Sequence, residues 1–312
     1  MHDLVARTVR GIEDVAAREL AALGTVTDVR RREVRFRATL AGALAAGTVD
    51  DVFLELLRLD PPGSRRALAA AVAQVDLDAA AGTIGARGRS FDVTVSLEGR
   101  SYARAAAEDA VGAAIAATDG WRYRSRRAAN TLSLRLVLDR THAWLGVRVA
   151  RAPLHRRLWR VASRPGALHP PLARALVRLA DPPEGARLGD PFCGTGTIAI
   201  EAKLARPDLR VVCSDTDPGA VAAARANAAA AGVELELAVA EACGSAPVDV
   251  AVTNPPWGRA VAPREDRWEP SGRAVLLLAE GLRPPGGATV LDRRWLRVSG
   301  RPAVCWTVER PG

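Results

Sequence analysis

Leucine recurs at every second position through Leu132, Leu134, Leu136 and Leu138, with Ser133, Arg135 and Val137 between them. Period two is the spacing of a strand with one buried face, so this stretch predicts a strand, and "AWLGVRVA" its hairpin partner across an Asp139–His142 turn. The same pattern gives strands at "LVARTVRG", at "EVRFRATL" with Arg35 and Arg37 outward, and at "FDVTVSL" from Phe91 to Leu97. Helical spacing takes over in "IEDVAARELAAL", where Ile12, Val15, Ala16, Leu20 and Leu23 share a face, acidic residues fill the first turn, and Gly24 is expected to close the helix. "DDVFLELLRL" predicts a short helix stopped by Pro61 and Pro62, another helix starts at Ser64, and "SYARAAAEDAVGAAIAA" predicts one ended by Asp119 and Gly120. Residues 1–150 therefore read as an α+β domain.

"RAPLHRRLWRVASRPGALHPP", from Arg151 to Pro171, breaks both periods and is read as a basic linker over residues 151–170. Beyond it helices and strands alternate: a helix at "PPLARALVRLA", then strand, helix, strand and helix at "ARLGDPF", "TIAIEAKLA", "RVVCSD" and "PGAVAAARANAAAAG", the last ended by Gly232. Strands at "ELELAVAE" and "VDVAVTN", a helix around "RAVLLLAEGL", and strands at "ATVLD" and "AVCWTVE" complete the chain. Alternation of this kind predicts a doubly wound, mostly parallel α/β sheet over residues 171–312, with helices on both faces and a ligand site beyond the carboxyl ends of the strands.

A length of 312 residues suits two cores, and a hydrophobic share of 48% with 25% charged residues suits a globular protein. No apolar run reaches about 18 residues and charges interrupt the first twenty positions, so a cytoplasmic protein is expected. Cys193, Cys213, Cys243 and Cys305 have neither disulfide-framework nor zinc spacing, and reduced thiols with no structural metal are expected. The net charge of +9 is unevenly placed: residues 1–164 hold 27 basic against 18 acidic residues, and residues 165–312 hold 17 of each. A basic half joined to a neutral one suggests that one part meets a polyanion, although arginine-rich composition alone also produces such an excess. Arg156, Arg157, Arg160 and Arg164 around Trp159 are the candidate phosphate-and-base strip.

"DPFCGTGTIAIEA" follows a strand and opens a helix. Gly194 and Gly196 let the backbone approach a ligand, and the helix N-terminus offers inward N–H groups to a carboxylate or phosphate. Asp215 ends the next strand about twenty residues on, where a carboxylate meets a ribose hydroxyl pair. By itself this arrangement leaves a dehydrogenase open. The later turn "VDVAVTNPPWGR" favours another chemistry, because two prolines end the strand and leave carbonyls with few partners. An exocyclic amine is a poor nucleophile while its lone pair is delocalised into the ring. Accepting its two N–H hydrogens at the Asn254 amide oxygen and the Pro255 carbonyl aims that lone pair at a methyl donor, with Trp257 stacking on the base. "RAVAPREDRWEP", after this turn, reads as a lid or as a solvated loop.

Residues from about 165 to 260 resemble the Rossmann-like S-adenosylmethionine-dependent methyltransferases that carry "DPFCGTGT" followed by "NPPWG". "ARTVRGIEDVAARELAALG", "FDVTVSLEGRSYARAAAEDAVG" and "APLHRRLWR" are similar to parts of the THUMP-containing RNA guanine-N2 methyltransferases. The resemblance implies Asp190, Gly194 and Gly196 around the methionine part of S-adenosylmethionine, with Phe192 in the same motif, Asp215 at the ribose and Glu241 at the adenine amine. It further implies Asn254, Pro255, Pro256 and Trp257 as the methyl-acceptor site, and structured RNA, tRNA before rRNA, as the partner of a monomer. Trp257 replaces a smaller aromatic, Glu241 a commoner Asp, and the chain is short both after Gly258 and for a full THUMP module. Adenine-N6 methylation, or an inactive RNA-binding scaffold, are the readings to separate from guanine-N2 transfer.

Overall fold

The computed structural model describes residues 1–99, 103–124, 131–241, 247–257, 272–284 and 286–310. The first sheet consists of β1 (His2–Arg7), β2 (Gly24–Arg30), β3 (Glu33–Ala38), β4 (Asp51–Leu59), β5 (Ser90–Leu97), β6 (Arg122–Tyr123), β7 (Leu132–Leu138) and β8 (Ala143–Arg148). Their spatial order is β2-β3-β1-β4-β8-β7-β5-β6, antiparallel except where β5 runs parallel to β6 and β7. α1 (Glu13–Ala21), α2 (Leu40–Leu44), α3 (Arg65–Val72), α4 (Leu77–Ile84) and α5 (Arg104–Asp119) accompany it. The four alternating leucines of β7 are all buried in one core with α1, α3 and α5. β7 turns into β8 where Asp139 Oδ1 accepts the backbone N–H groups of Thr141 and His142.

Three expectations in this half need correction. "DDVFLELLRL" is not a helix: it is β4, paired on both sides with β1 and β8, and a register shift between Glu55 and Leu57 breaks the alternation that would have marked a strand. Gly24 does not close α1 but opens β2, where a Cβ would lie 2.1 Å from the Arg37 carbonyl oxygen. Arg35 is buried rather than outward, because it belongs to a charged layer in which its Nε donates to Glu55 and Glu33 accepts from Arg7 and from Trp144 Nε1.

The second half opens with α6 (Pro170–Ala180), then β9 (Arg187–Asp190), α7 (Thr197–Ala205), β10 (Arg210–Asp215), α8 (Pro218–Ala231), β11 (Glu236–Val239) and β12 (Val250–Thr253). It ends with β13 (Gly272–Ala279), β14 (Thr289–Val298) and β15 (Arg301–Arg310). The sheet order is β11-β10-β9-β12-β13-β15-β14, parallel through β13, with β15 antiparallel to both its neighbours. "RAVLLLAEGL" is thus the strand β13, not a helix. A central strand is apolar on both faces, so a continuous run of Leu and Val carries no period to identify it. The "RAVAPREDRWEP" loop and Cys243 lie outside the described residues. No single described helix is long and apolar enough to cross a membrane.

α1 serves both halves. Its Ala16 and Leu20 belong to the first core, while Val15 and the preceding Ile12 join α6, Leu188, Val250 and Leu296 in the second. Burying each of these large side chains contributes roughly 1.5–3 kcal/mol. The seam is also charged. Glu19 of α1 accepts the backbone N–H groups of Gly47 and Thr48 and both Nε and Nη2 of Arg178 from α6. Glu201 of α7, fully buried, accepts from Arg157 and Arg174 at 2.7 Å each, and Arg157 Nη2 reaches across to the Gly47 carbonyl at 2.6 Å.

Candidate functional site

From β9 the chain winds through α7 to β10 and β11 on one side, whereas β12 leads to β13 on the other. The order reverses between β9 and β12, and open α/β sheets bind ligands beyond the carboxyl ends at such a reversal. Asp190 ends β9 and Thr253 ends β12; both are buried, and Thr253 Oγ1 donates to Asp190 Oδ1 at 2.7 Å. Burial pushes the Asp190 carboxyl up to about 7, against the Thr253 and Phe192 N–H hydrogen bonds that favour its charge, and nearby Asp215 adds to the rise.

The glycine turn closes through Cys193 N–H to the Ser214 carbonyl and Gly196 N–H to the Cys193 carbonyl. Gly194 and Gly196 adopt φ of 53° and 77°, the left-handed region that disfavours side chains. Their surroundings differ. A Cβ on Gly196 would come within 3.1 Å of the Ala224 Cβ on α8, whereas one on Gly194 would meet nothing within 4 Å. Gly196 thus permits helix packing, while Gly194 faces open space. Asp215, at the end of β10, accepts the Gly194 N–H at 2.9 Å and the Asp217 N–H at 3.0 Å, tying strand to turn. α7 starts with no side-chain cap. Glu241 is exposed just beyond β11.

Asn254, Pro255, Pro256 and Trp257 follow Thr253 directly, all half-buried. Asn254 Oδ1 is shielded from solvent and, among the described residues, has no hydrogen-bond partner. A buried acceptor left unpaired costs about 1–3 kcal/mol, so the chain keeps it at the expense of stability. Trp257 packs partly against the second core and its Nε1 donates to the Leu277 carbonyl of β13 at 3.2 Å, which fixes the indole beside the turn. Donors for a ligand carboxylate, carboxylates for its hydroxyl or amine groups, and an amide oxygen without a donor therefore stand along one sheet edge. A groove of about 610 Å³ between α8 and β10–β11 lies at the amino-terminal ends of those strands, away from this edge. The described cysteines, Cys193, Cys213 and Cys305, are buried free thiols.

The linker arginines divide. Arg157 is held inside the seam, and Trp159 is buried against Ile200 and Ala228 instead of facing solvent. Arg160 donates to the Leu168 carbonyl and to Thr197 at the start of α7. Arg164 pairs with Asp217, and Arg156 is exposed. Sequence reasoning missed Thr253, whose only signal is its place before Asn254. It also missed Arg135, whose interruption of the β7 leucines marks the opposite face of the first sheet. Burial, with Arg7, Arg104, Arg32 and Arg148 around it, lowers the Arg135 pKa to about 10. Each of these four neighbours is itself ion-paired, Arg7 with Glu33, Arg32 with Asp50, Arg104 with Glu108 and Arg148 with Asp51.

The model of UPF0020, the RMKL-like methyltransferase domain, matches residues 157–269, and that of the RlmL ferredoxin-like domain matches residues 3–47. Over 99% of this chain and 92% of the other, the sequence is 32% identical to a tRNA (guanine(6)-N2)-methyltransferase of Thermus thermophilus. The crystal structure of TrmN from Thermus thermophilus is similar at a TM-score of 0.81 and 28% identity, covering 99% of both chains. A protein complexed with SAH shares the fold at a TM-score of 0.76 and 16% identity, over 100% of this chain and 98% of that one.

Proposed function

The chain belongs to the same family as the Thermus thermophilus tRNA (guanine(6)-N2)-methyltransferase, and from that membership we propose that it methylates the exocyclic N2 amine of a guanosine in structured RNA, tRNA above all, with S-adenosylmethionine as donor. The observation that carries this reading is the unpartnered Asn254 oxygen at the strand-order reversal, joined through Thr253 and Asp190 to the glycine turn. When bound, the cofactor supplies an electrophilic methyl group on a sulfonium sulfur. Its fit rests on the open space at Gly194, the uncapped start of α7, and the carboxyls of Asp190 and Asp215; we further assign Phe192 and Glu241 to the cofactor, and Gly196 to shaping the turn that meets it.

Asn254 Oδ1 and the Pro255 carbonyl accept the two amine hydrogens and turn the nitrogen lone pair out of ring conjugation. Pro256 keeps the turn rigid, and Trp257 is the surface on which the base lies. No strong base is needed, because the proton turns acidic only once nitrogen carries the methyl. We read residues 1–150 as a THUMP-like RNA-gripping unit, 151–170 as the basic linker, and 171–312 as the catalytic unit. Of the four candidate arginines, we assign RNA contact to Arg156, which is exposed.

The test is methyl transfer to tRNA by wild type and Asn254→Ala, with the product identified by nucleoside mass spectrometry. Loss of one positioned acceptor should reduce kcat by roughly 100-fold or more. Equal rates would remove the mechanism, and N6-methyladenosine in place of N2-methylguanosine would remove the substrate assignment.

A further inference from the structure

Strand β14 lies at the sheet edge, yet it displays a tryptophan instead of burying it. Trp295 is 53% exposed, and the Arg293 guanidinium lies over its ring at 4.6 Å from the centroid and over the buried Trp306 ring at 5.1 Å. Trp295 and Arg293 are two residues apart and share a face of the strand. Among the described residues Arg293 has no carboxylate within ion-pairing distance, so its charge is uncompensated. Stacking on a guanidinium also restrains the indole, which lowers the cost of ordering it against a planar ligand.

Register fixes where this platform stands. Thr253 pairs with Leu276, Leu276 with Trp306, and Trp306 with Arg293, so Arg293 lies in the row of the residue that precedes Asn254. Trp295 pairs with Val304 and thence Leu278, two residues further toward the carboxyl edge, at the level Pro255 would reach were β12 continued. Three strand spacings separate β14 from β12, about 14 Å. β14 also forms the seam with the first half: Arg294 pairs with Asp14 at 2.6 Å, and a Cβ on Gly11 would lie 2.5 Å from the Trp295 carbonyl oxygen.

We propose that Trp295, stiffened by Arg293, is a stacking platform for an unpaired nucleobase of the RNA substrate, flanking the nucleotide held at Asn254. This rests on the reading of the chain as an RNA methyltransferase. The uncompensated arginine and the position between the basic half and the acceptor turn favour RNA as occupant. Exposed Val290 and Leu291 on the same strand make a second copy of this chain the rival.

The experiment measures affinity for unmodified tRNA by fluorescence anisotropy, independently of turnover, for wild type, Trp295→Ala and Trp295→Phe, alongside KM for tRNA and calorimetric cofactor affinity. The alanine variant should bind tRNA about tenfold more weakly, with a matching rise in KM and unchanged cofactor affinity, and phenylalanine should restore most of the loss. Affinity within twofold of wild type for Trp295→Ala overturns the proposal, as does unchanged RNA binding with a dimer lost on light scattering. If wild type binds tRNA without methylating it, the enzymatic reading fails while the anisotropy series still decides the platform.

Discussion

Asp190 holds a proton in the folded chain at pH 6 and releases it on unfolding, because burial lifts its carboxyl to about 7 from an ordinary 3.8. Between these values the unfolded chain binds fewer protons, so this residue's contribution to stability falls as pH rises from about 4 to about 7 and stays low above that. Asp190→Asn keeps an acceptor for Thr253 and removes the titration. In urea denaturation the variant's stability relative to wild type should be greater at pH 8 than at pH 5 by on the order of 2–3 kcal/mol. An equal difference at both pH values would show that burial is not what governs Asp190. A chain that retains so costly a carboxyl beside an unpaired Asn254 oxygen places polarity where ligand contacts repay it.

At the scale of elements, the two glycines of the turn before α7 should separate binding from folding. Gly196→Ala presses on α8 and forces a left-handed φ, so it should lower stability by about 1–3 kcal/mol in thermal unfolding. Gly194→Ala adds a methyl group to open space; it should cost about 1 kcal/mol from φ alone while sharply weakening S-adenosylmethionine binding by calorimetry. Comparable losses of stability with cofactor affinity intact would contradict this division. These glycines were legible in the sequence because positive φ and close approach are local demands that glycine meets. β4 and β13 were not: β13 buries apolar side chains on both faces, and β4 contains a bulge, so neither displays period two. The β7–β8 hairpin was legible because one face meets the core and its turn carries its own Asp139 hydrogen bonds.

Across the whole molecule the seam was invisible beforehand, since its partners are far apart in the chain: Glu19 and Arg178 are separated by 159 positions. Arg157, read from sequence as an RNA contact, serves this seam because a buried Glu201 stands within its reach. Glu201→Ala leaves Arg157 and Arg174 largely buried without their carboxylate. It should lower stability by about 3–5 kcal/mol in urea unfolding followed by tryptophan fluorescence, with Glu201→Gln in between. A loss below about 1 kcal/mol would mean that the guanidiniums find water instead. The bond from Arg157 to the Gly47 carbonyl has one more consequence. By pinning the helix behind the glycine turn to a loop of the first sheet, it makes the molecule a caliper with fixed jaws. If the first half grips RNA as we propose, that fixed span sets how far from the gripped point a nucleotide must lie to reach Asn254.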